Sequence, residues 1–199
     1  MSESTLRRRV GTLVGRPRRH HFLKRLPRDA VGAELGVFRG EFTRRILEIA
    51  KPRELHLIDG WWELHGETFP FEWGAYADWG KLSTRDAHAE VERIAAAAEP
   101  GVCEIHVGDD LEILERFPDR HFDWVYLDTS HQYEHTLAEL ELLDARVKPA
   151  GLIAGHDWIE DPASVNHGAY RAIREFCSTA GWAVEHLDGF TQWEIRRKG

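Results

Sequence analysis

Glu34-Leu35-Gly36-Val37-Phe38-Arg39-Gly40 carries an apolar run, Val31–Val37, through two glycines into an amphipathic stretch, Glu41–Ala50. The run reads as a β-strand. The stretch sets Phe42, Ile46, Leu47 and Ile49 at helical spacing and reads as a helix. Glycine lets the chain turn sharply and lets a ligand approach the backbone closely. The spacing Gly36-xxx-Gly40 departs from GxGxxG, so no pyrophosphate cradle of the dinucleotide type follows.

The same alternation extends outward from this turn. Glu54–Asp59, Glu104–Gly108, Asp123–Asp128 and Gly151–Gly155 read as further strands. Arg85–Ala98, Leu111–Arg116, Glu134–Val147 and Ala169–Ala180 read as helices between them. Trp182–Leu187 and Phe190–Ile195, joined around Asp188-Gly189, read as a closing hairpin. Strands alternating with helices imply crossover units and a parallel sheet covered on both faces. The expected fold is α/β, a doubly wound, Rossmann-like, seven-stranded sheet, mostly parallel with an antiparallel C-terminal hairpin strand. A ligand of such a sheet lies at the carboxyl ends of its strands.

Composition bounds the rest. At 199 residues with 42% apolar and 30% charged side chains, the chain suits one globular domain with its own core. Two cysteines, Cys103 and Cys177, form no disulfide framework and are expected as free thiols. No apolar run reaches the ~18 residues of a membrane span, and Met1–Arg9 lacks the apolar stretch of a signal peptide. A cytoplasmic location is expected. Net charge is −8, yet residues 1–28 carry +8 and the remainder −16. We expect residues 1–28 to form a basic helical arm packing on the acidic body, residues 29–199, or on a partner subunit. That acidic body repels a phosphate backbone, so nucleic acid is not an expected partner. A homodimer in which the arm closes the neighbour's cleft is suggested by charge complementarity alone.

The strand ends carry the informative polar residues. Asp59, 19 residues after Gly40, is placed to accept both hydroxyls of a ribose. Gly108-Asp109-Asp110 follows the third strand, with Asp109 placed for the exocyclic amine of an adenine. Each acid alone is commonly a cap or turn residue; three at successive strand ends of one sheet point to a nucleoside.

This layout resembles that of the class I S-adenosylmethionine-dependent methyltransferases over about residues 29–199, with Phe38 standing where that family commonly has a middle glycine. The resemblance implies S-adenosylmethionine as cofactor, with Glu34, Gly36 and Gly40 against its methionine half, Asp59 at the ribose and Asp109 at the adenine. Trp61, directly after the ribose acid, is expected on the adenine.

Asp128-Thr129-Ser130-His131 ends the fourth strand, and His156-Asp157-Trp158 ends the fifth. Adjacent strands lie ~4.8 Å apart, so Asp128 and Asp157 can face each other. Paired carboxylates repel unless a proton or cation lies between them. Asp128, Asp157 and His156 are therefore candidate ligands for Mg²⁺ or Mn²⁺. An alcohol is a poor nucleophile until deprotonated, and His131 is the candidate base. The signatures LDTSHQY and LIAGHDW resemble the small metal-dependent O-methyltransferases that include sugar-modifying enzymes of macrolide and other glycoside pathways. Catechol-type relatives commonly have Asp-Asn at the second site and lysine at the base position; this chain has Asp157-Trp158 and His131.

Residues 60–83 exceed an ordinary strand–helix connection and read as an aromatic lid or insert. Trp62, His65, Trp73, Tyr76 and Trp79 are the candidate acceptor-binding residues, with Glu63, Glu67 and Asp78 among them. Aromatic faces with polar neighbours suit a mono- or oligosaccharide, or a glycoside. The alternatives are a catechol or other phenol as acceptor, a non-catalytic cofactor-binding subunit, and an NAD-linked oxidoreductase, which the missing GxGxxG disfavours.

Overall fold

The sheet is built from β1 (Val31–Leu35), β2 (Glu54–Asp59), β3 (Cys103–Val107), β4 (Phe122–Leu127), β5 (Val147–Gly155), β6 (Trp182–Leu187) and β7 (Trp193–Arg197). They lie in the order β3-β2-β1-β4-β5-β7-β6. The first five are parallel, and β7 runs antiparallel to both β5 and β6. The computed structural model describes residues 19–199.

Period-two alternation decides which face each strand residue covers. In β4, Trp124 and Tyr126 point to one side, Val125 and Leu127 to the other, and all four are buried. The Trp124 side packs with Ile46 of α1 (Glu41–Ile49) and Val91 of α3 (Thr84–Ala97). The Val125 side packs with Ile113 of α4 (Asp110–Arg116), Leu140 of α5 (Tyr133–Arg146) and Ile173 of α6 (His167–Thr179). The indole of Trp124 lies directly over Gly32; a Cβ there would stand 2.1 Å from Cζ2.

Several boundaries differ from the sequence reading, most by one or two residues. β5 begins at Val147, paired to Phe122, so α5 stops at Arg146. The last strand runs Trp193–Arg197, because Asp188 holds a wider turn: its Oδ1 accepts the N–H of Phe190 (2.8 Å) and of Gln192 (3.0 Å). α6 starts at His167. Residues 60–83 hold a short helix α2 (Trp61–His65) and a 3-10 segment, Phe71–Gly80, broken at Asp78 and Trp79 by positive φ.

The basic arm expected over residues 1–28 lies outside the described residues up to residue 18. Its described end, Arg19–Arg25, forms 3-10 turns that bury Phe22 and Leu23 against the α1 side of the sheet. Arg25 Nε donates to the buried Glu194 on β7 at 2.6 Å. Both cysteines are free thiols, each pushed up to about 11 by burial. Among the described residues no helix is long and apolar enough to cross a membrane.

Register aligns the functional edge. Leu35 pairs with Ile58 and Leu127, and Leu127 pairs with Gly155. The ladder continues one step, with Gly36 N–H on Ile58 O, Asp128 N–H on Leu35 O and His156 N–H on Leu127 O. Gly36, Asp59, Asp128 and His156 thus emerge along one rim.

Candidate active site

The glycine turn is fixed by Asp59. Its Oδ2 accepts the N–H of Val37 (2.9 Å) and of Phe38 (2.8 Å), and its Oδ1 accepts the N–H of Trp61 (2.9 Å). Burial pushes the Asp59 pKa up, and these three N–H bonds oppose it. Gly36 has φ +84, and an added Cβ would stand 2.1 Å from Asp128 O, so the β1 and β4 ends touch only because no side chain intervenes. Glu34 is buried and accepts the Thr43 hydroxyl at 2.6 Å, bracing α1. Gly40 starts α1 with φ +73.

Trp61 serves this turn from beneath. Its ring is fully buried, its Nε1 donates to Phe38 O at 2.9 Å, and His88 meets it edge-on. This corrects the expectation of an indole lying on the adenine: a ring with no exposed face has none to offer. Asp109 is exposed and caps α4, its Oδ1 accepting the Glu112 N–H at 3.1 Å.

The chemical end gathers Asp128, His131, His156 and Asp157. His131 Nε2 lies 3.0 Å from Asp157 Oδ2 and 3.8 Å from Asp128 Oδ1. His156 Nδ1 lies 3.1 Å from Asp157 Oδ1 and 3.8 Å from Asp128 Oδ1. Burial disfavours a charged Asp157, but hydrogen bonds and charge from His131 and His156 outweigh it, holding its pKa well below the usual carboxylate range. Asp157 is therefore an anion at any physiological pH.

On its far side His156 Nε2 lies 3.2 Å from Thr191 Oγ1, a hydroxyl that can accept as well as donate. Without a cation, Nδ1 is the nitrogen that donates to Asp157 at 3.1 Å; with a cation in place, Thr191 would accept the hydrogen at Nε2 and leave the Nδ1 lone pair for the metal. Three such donors, with one atom each from Asp128, His156 and Asp157 within 4.8 Å of one another, fit a divalent cation of the Mg²⁺ or Mn²⁺ class.

Two of these residues are strained. His131 has φ +57 and Asp157 φ +63, conformations costing non-glycine residues ~1–3 kcal/mol each. Their surroundings hold them there. Asn166 Nδ2 donates to Asp157 Oδ2 at 3.0 Å, and Trp193 Nε1 donates to His156 O at 2.8 Å. Gly168, in the first turn of α6, sits so close that a Cβ would be 2.6 Å from His131 O.

The aromatic insert divides into separate groups. Trp73 and Tyr76 close over Phe38 at ring distances of 5.9 and 5.4 Å, and His65 packs edge-on to Trp73 at 5.0 Å. Tyr76 is 69% and Trp73 42% exposed, so both keep open faces beside the glycine turn. Trp62 turns away, under Arg85 and against His88. Trp79 packs with Phe71 at 5.8 Å. Of the five candidate acceptor residues, the structure gathers His65, Trp73 and Tyr76 beside the glycine turn and places Trp62 and Trp79 in separate contacts.

The family model described as "Methyltransferase domain" matches residues 33–158, more than half of the chain. The chain belongs to this methyltransferase family. With its sheet order, it is a class I S-adenosylmethionine-dependent methyltransferase. Among solved structures, the methyltransferase is similar to a protein from Corynebacterium glutamicum, with TM-score 0.62 and 15% identity over 90% of this chain and 80% of that one. It is also similar to an O-methyltransferase family protein from Burkholderia thailandensis, with TM-score 0.54 and 16% identity over 90% of this chain and 55% of that one. A third is the precorrin-6y C5,15-methyltransferase from Geobacter metallireducens, with TM-score 0.53 and 15% identity over 88% and 82%. At these identities the likeness is one of fold. No curated protein matches the sequence.

Beneath the rim the methyltransferase holds a polar cluster that sequence reasoning missed. Glu139 of α5 is fully buried and accepts the Thr129 hydroxyl at 2.8 Å, while His135 Nε2 lies 3.0 Å from the Asp110 carboxylate. Burial, then the Asp110 charge, push the Glu139 pKa well above the usual carboxylate range. Hydrogen bonding to Asp110 raises His135 against the effect of its burial. The i, i+4 spacing of His135 and Glu139 was the available signal. Asn166 and Thr191 gave none.

Proposed function

We propose that this methyltransferase transfers a methyl group from S-adenosylmethionine to a hydroxyl of a small molecule, a sugar or glycoside in first place, with a divalent cation bound at Asp128, His156 and Asp157. The observation that carries this reading is the convergence of two carboxylates and an imidazole within 4.8 Å of one another, with His131 beside them. Vicinal hydroxyls suit a cation held by three protein ligands and are common to sugars and catechols; the sugar is favoured by the polar His65 among the aromatic faces.

For the donor, the Gly36–Gly40 turn, Asp59 and the exposed Asp109 are the binding residues; Glu34 and Trp61 support the turn from behind. S-adenosylmethionine supplies an electrophilic methyl on sulfur, and the cation, when bound, lowers the pKa of a coordinated hydroxyl. His131, whose Nε2 lies 3.0 Å from Asp157 Oδ2, would accept the hydroxyl proton when Asp157 serves as a ligand. The acceptor oxygen then bonds to the methyl carbon as the carbon–sulfur bond breaks, leaving S-adenosylhomocysteine. The strain at His131 and Asp157 serves this positioning, since small misplacements of reacting groups cost large rate factors.

A second reading, a catechol or phenol acceptor, is favoured by the open faces of Trp73 and Tyr76, on which a flat ring could stack. Methyl transfer from labelled S-adenosylmethionine to panels of monosaccharides, glycosides and catechols, with Mg²⁺, Mn²⁺ or EDTA, separates the two. Product from sugars only with cation present is the expected result. Product from catechols alone replaces the sugar reading. Turnover of both panels in EDTA rejects the cation.

A further inference from the structure

A second group of histidines and carboxylates lies on the α4 side of the sheet, at the opposite ends of the strands. We propose that Glu54, His56 and His121 form a binding site for a divalent transition-metal ion of the zinc class, with His106 as the residue that orients His56.

Glu54 and His56 lie on β2, and His121 is the residue before β4. His56 Nε2 is 3.0 Å from Glu54 Oε1 and 3.3 Å from His121 Nε2. Ligand bonds of 2.0–2.2 Å in a tetrahedral zinc site separate neighbouring donor atoms by about 3.3–3.5 Å, close to these spacings. All three donor atoms lie within 4.8 Å of one another.

Protons alone serve this arrangement poorly. If His56 Nε2 carries its hydrogen, one donor faces both a carboxylate and an imidazole. If it carries a lone pair, that lone pair points at the Glu54 carboxylate from 3.0 Å. A cation at this point is favourable to all three groups at once. The other ring nitrogen already has what a metal-bound histidine requires, a second partner that fixes ring orientation and tautomer. His56 Nδ1 lies 3.0 Å from His106 Nε2 on β3. His56 itself is only 2% exposed and is walled by Phe117 at a ring distance of 4.8 Å, which excludes water from one side. Glu54 and His121 face solvent in part and leave a route in.

The site is independent of the methyl-transfer reading. His121 and Asp128 bracket β4, seven residues or ~23 Å apart in an extended strand. A cation here would fasten β2 to the connection between α4 and β4, and its effect would be on stability.

The test is zinc titration of the EDTA-stripped full chain by calorimetry and thermal melting, in wild type, His121→Ala, Glu54→Gln and Asp157→Asn. Wild type should melt ~5–10 °C higher at zinc a hundredfold above Kd. His121→Ala and Glu54→Gln should lose one zinc equivalent and that shift, and Asp157→Asn, whatever it loses at the rim, should keep the equivalent that these two variants lose. Co²⁺ should give a visible absorption band that His121→Ala lacks. If His121→Ala misfolds, Glu54→Gln decides alone. Equal stoichiometry and equal shift in wild type and both site variants would overturn the proposal, as would absence of zinc binding by wild type.

Discussion

At the carboxyl ends of the strands, His131 and Asp157 are held at positive φ, whereas Glu54 and His121 at the amino ends, with His56 and the His106 that reaches back to it from β3, all stand on ordinary backbone. Both regions collect imidazoles and carboxylates at hydrogen-bonding distance, but they are assembled differently. The amino-end group arises from register: His56 pairs with Glu104, and His106 pairs with Ile58, so straight strands bring the rings together without strain. The carboxyl-end group is made in turns, where Asn166, Thr191, Trp193 and the close approach of Gly168 hold the chain against its local preference. At the carboxyl ends the strain falls on the interacting residues themselves, whereas at the amino ends it falls on neighbours, Lys51 and Arg120, outside the histidine–carboxylate group.

The largest expected effect belongs to the strained end. Asp128→Ala and Asp157→Ala should each lower methyl transfer by ~10³-fold or more, with affinity for S-adenosylhomocysteine unchanged by calorimetry. His131→Ala should cost ~10²–10⁴-fold and remove the limb of the pH–rate profile that reports proton removal. Wild-type turnover in His131→Ala would exclude it as the base.

Gly168→Ala sharpens the comparison, because Gly168 touches only the backbone that positions His131. A Cβ there must displace that turn, so we expect ~10–100-fold lower kcat with little change in donor affinity. An unchanged kcat would mean that the strained turn has no catalytic role. Gly32→Ala supplies the control for ordinary packing. It forces Trp124 from its place and should cost ~1–3 kcal/mol in urea unfolding while leaving the rim chemistry intact in the folded fraction.

The smallest effect concerns the support beneath the rim. The raised pKa of His135 means that its pairing with Asp110 adds stability that is fully present below about pH 6.5. That contribution is lost as the pH rises through the higher value His135 has in the fold. His135→Gln should therefore lower the free energy of urea unfolding at pH 6 by ~1 kcal/mol and leave it near wild type at pH 9. An equal loss at both pH values would assign His135 a packing role.

The legible parts of the molecule are those written in contiguous residues. Glu34–Gly40 announces the turn, and Asp128-Thr129-Ser130-His131 and His156-Asp157 each carry their chemistry within a few positions of a strand end. The seven strands followed from period and composition, with errors where a turn was wider than its residues advertised, as at Asp188. Groups assembled across distant segments were not legible. Asn166 and Thr191 reach the site from loops without a pattern, and His56, His106 and His121 meet only through sheet register. The aromatic insert is only partly legible for a related reason: composition cannot tell Trp61, whose ring is buried beneath the turn, from Trp73 and Tyr76, which stay open beside it.

The account rests most directly on the pairing of His131 with the Asp128, His156 and Asp157 ligand set. Methyl transfer from labelled S-adenosylmethionine should be measured for wild type and Asp157→Asn, with Mn²⁺ and with EDTA, on the best acceptor of the sugar and catechol panels. Cation-dependent turnover in wild type, lost in EDTA and lost in Asp157→Asn with donor affinity intact, is the predicted result. Full turnover in EDTA, or in Asp157→Asn, would contradict it.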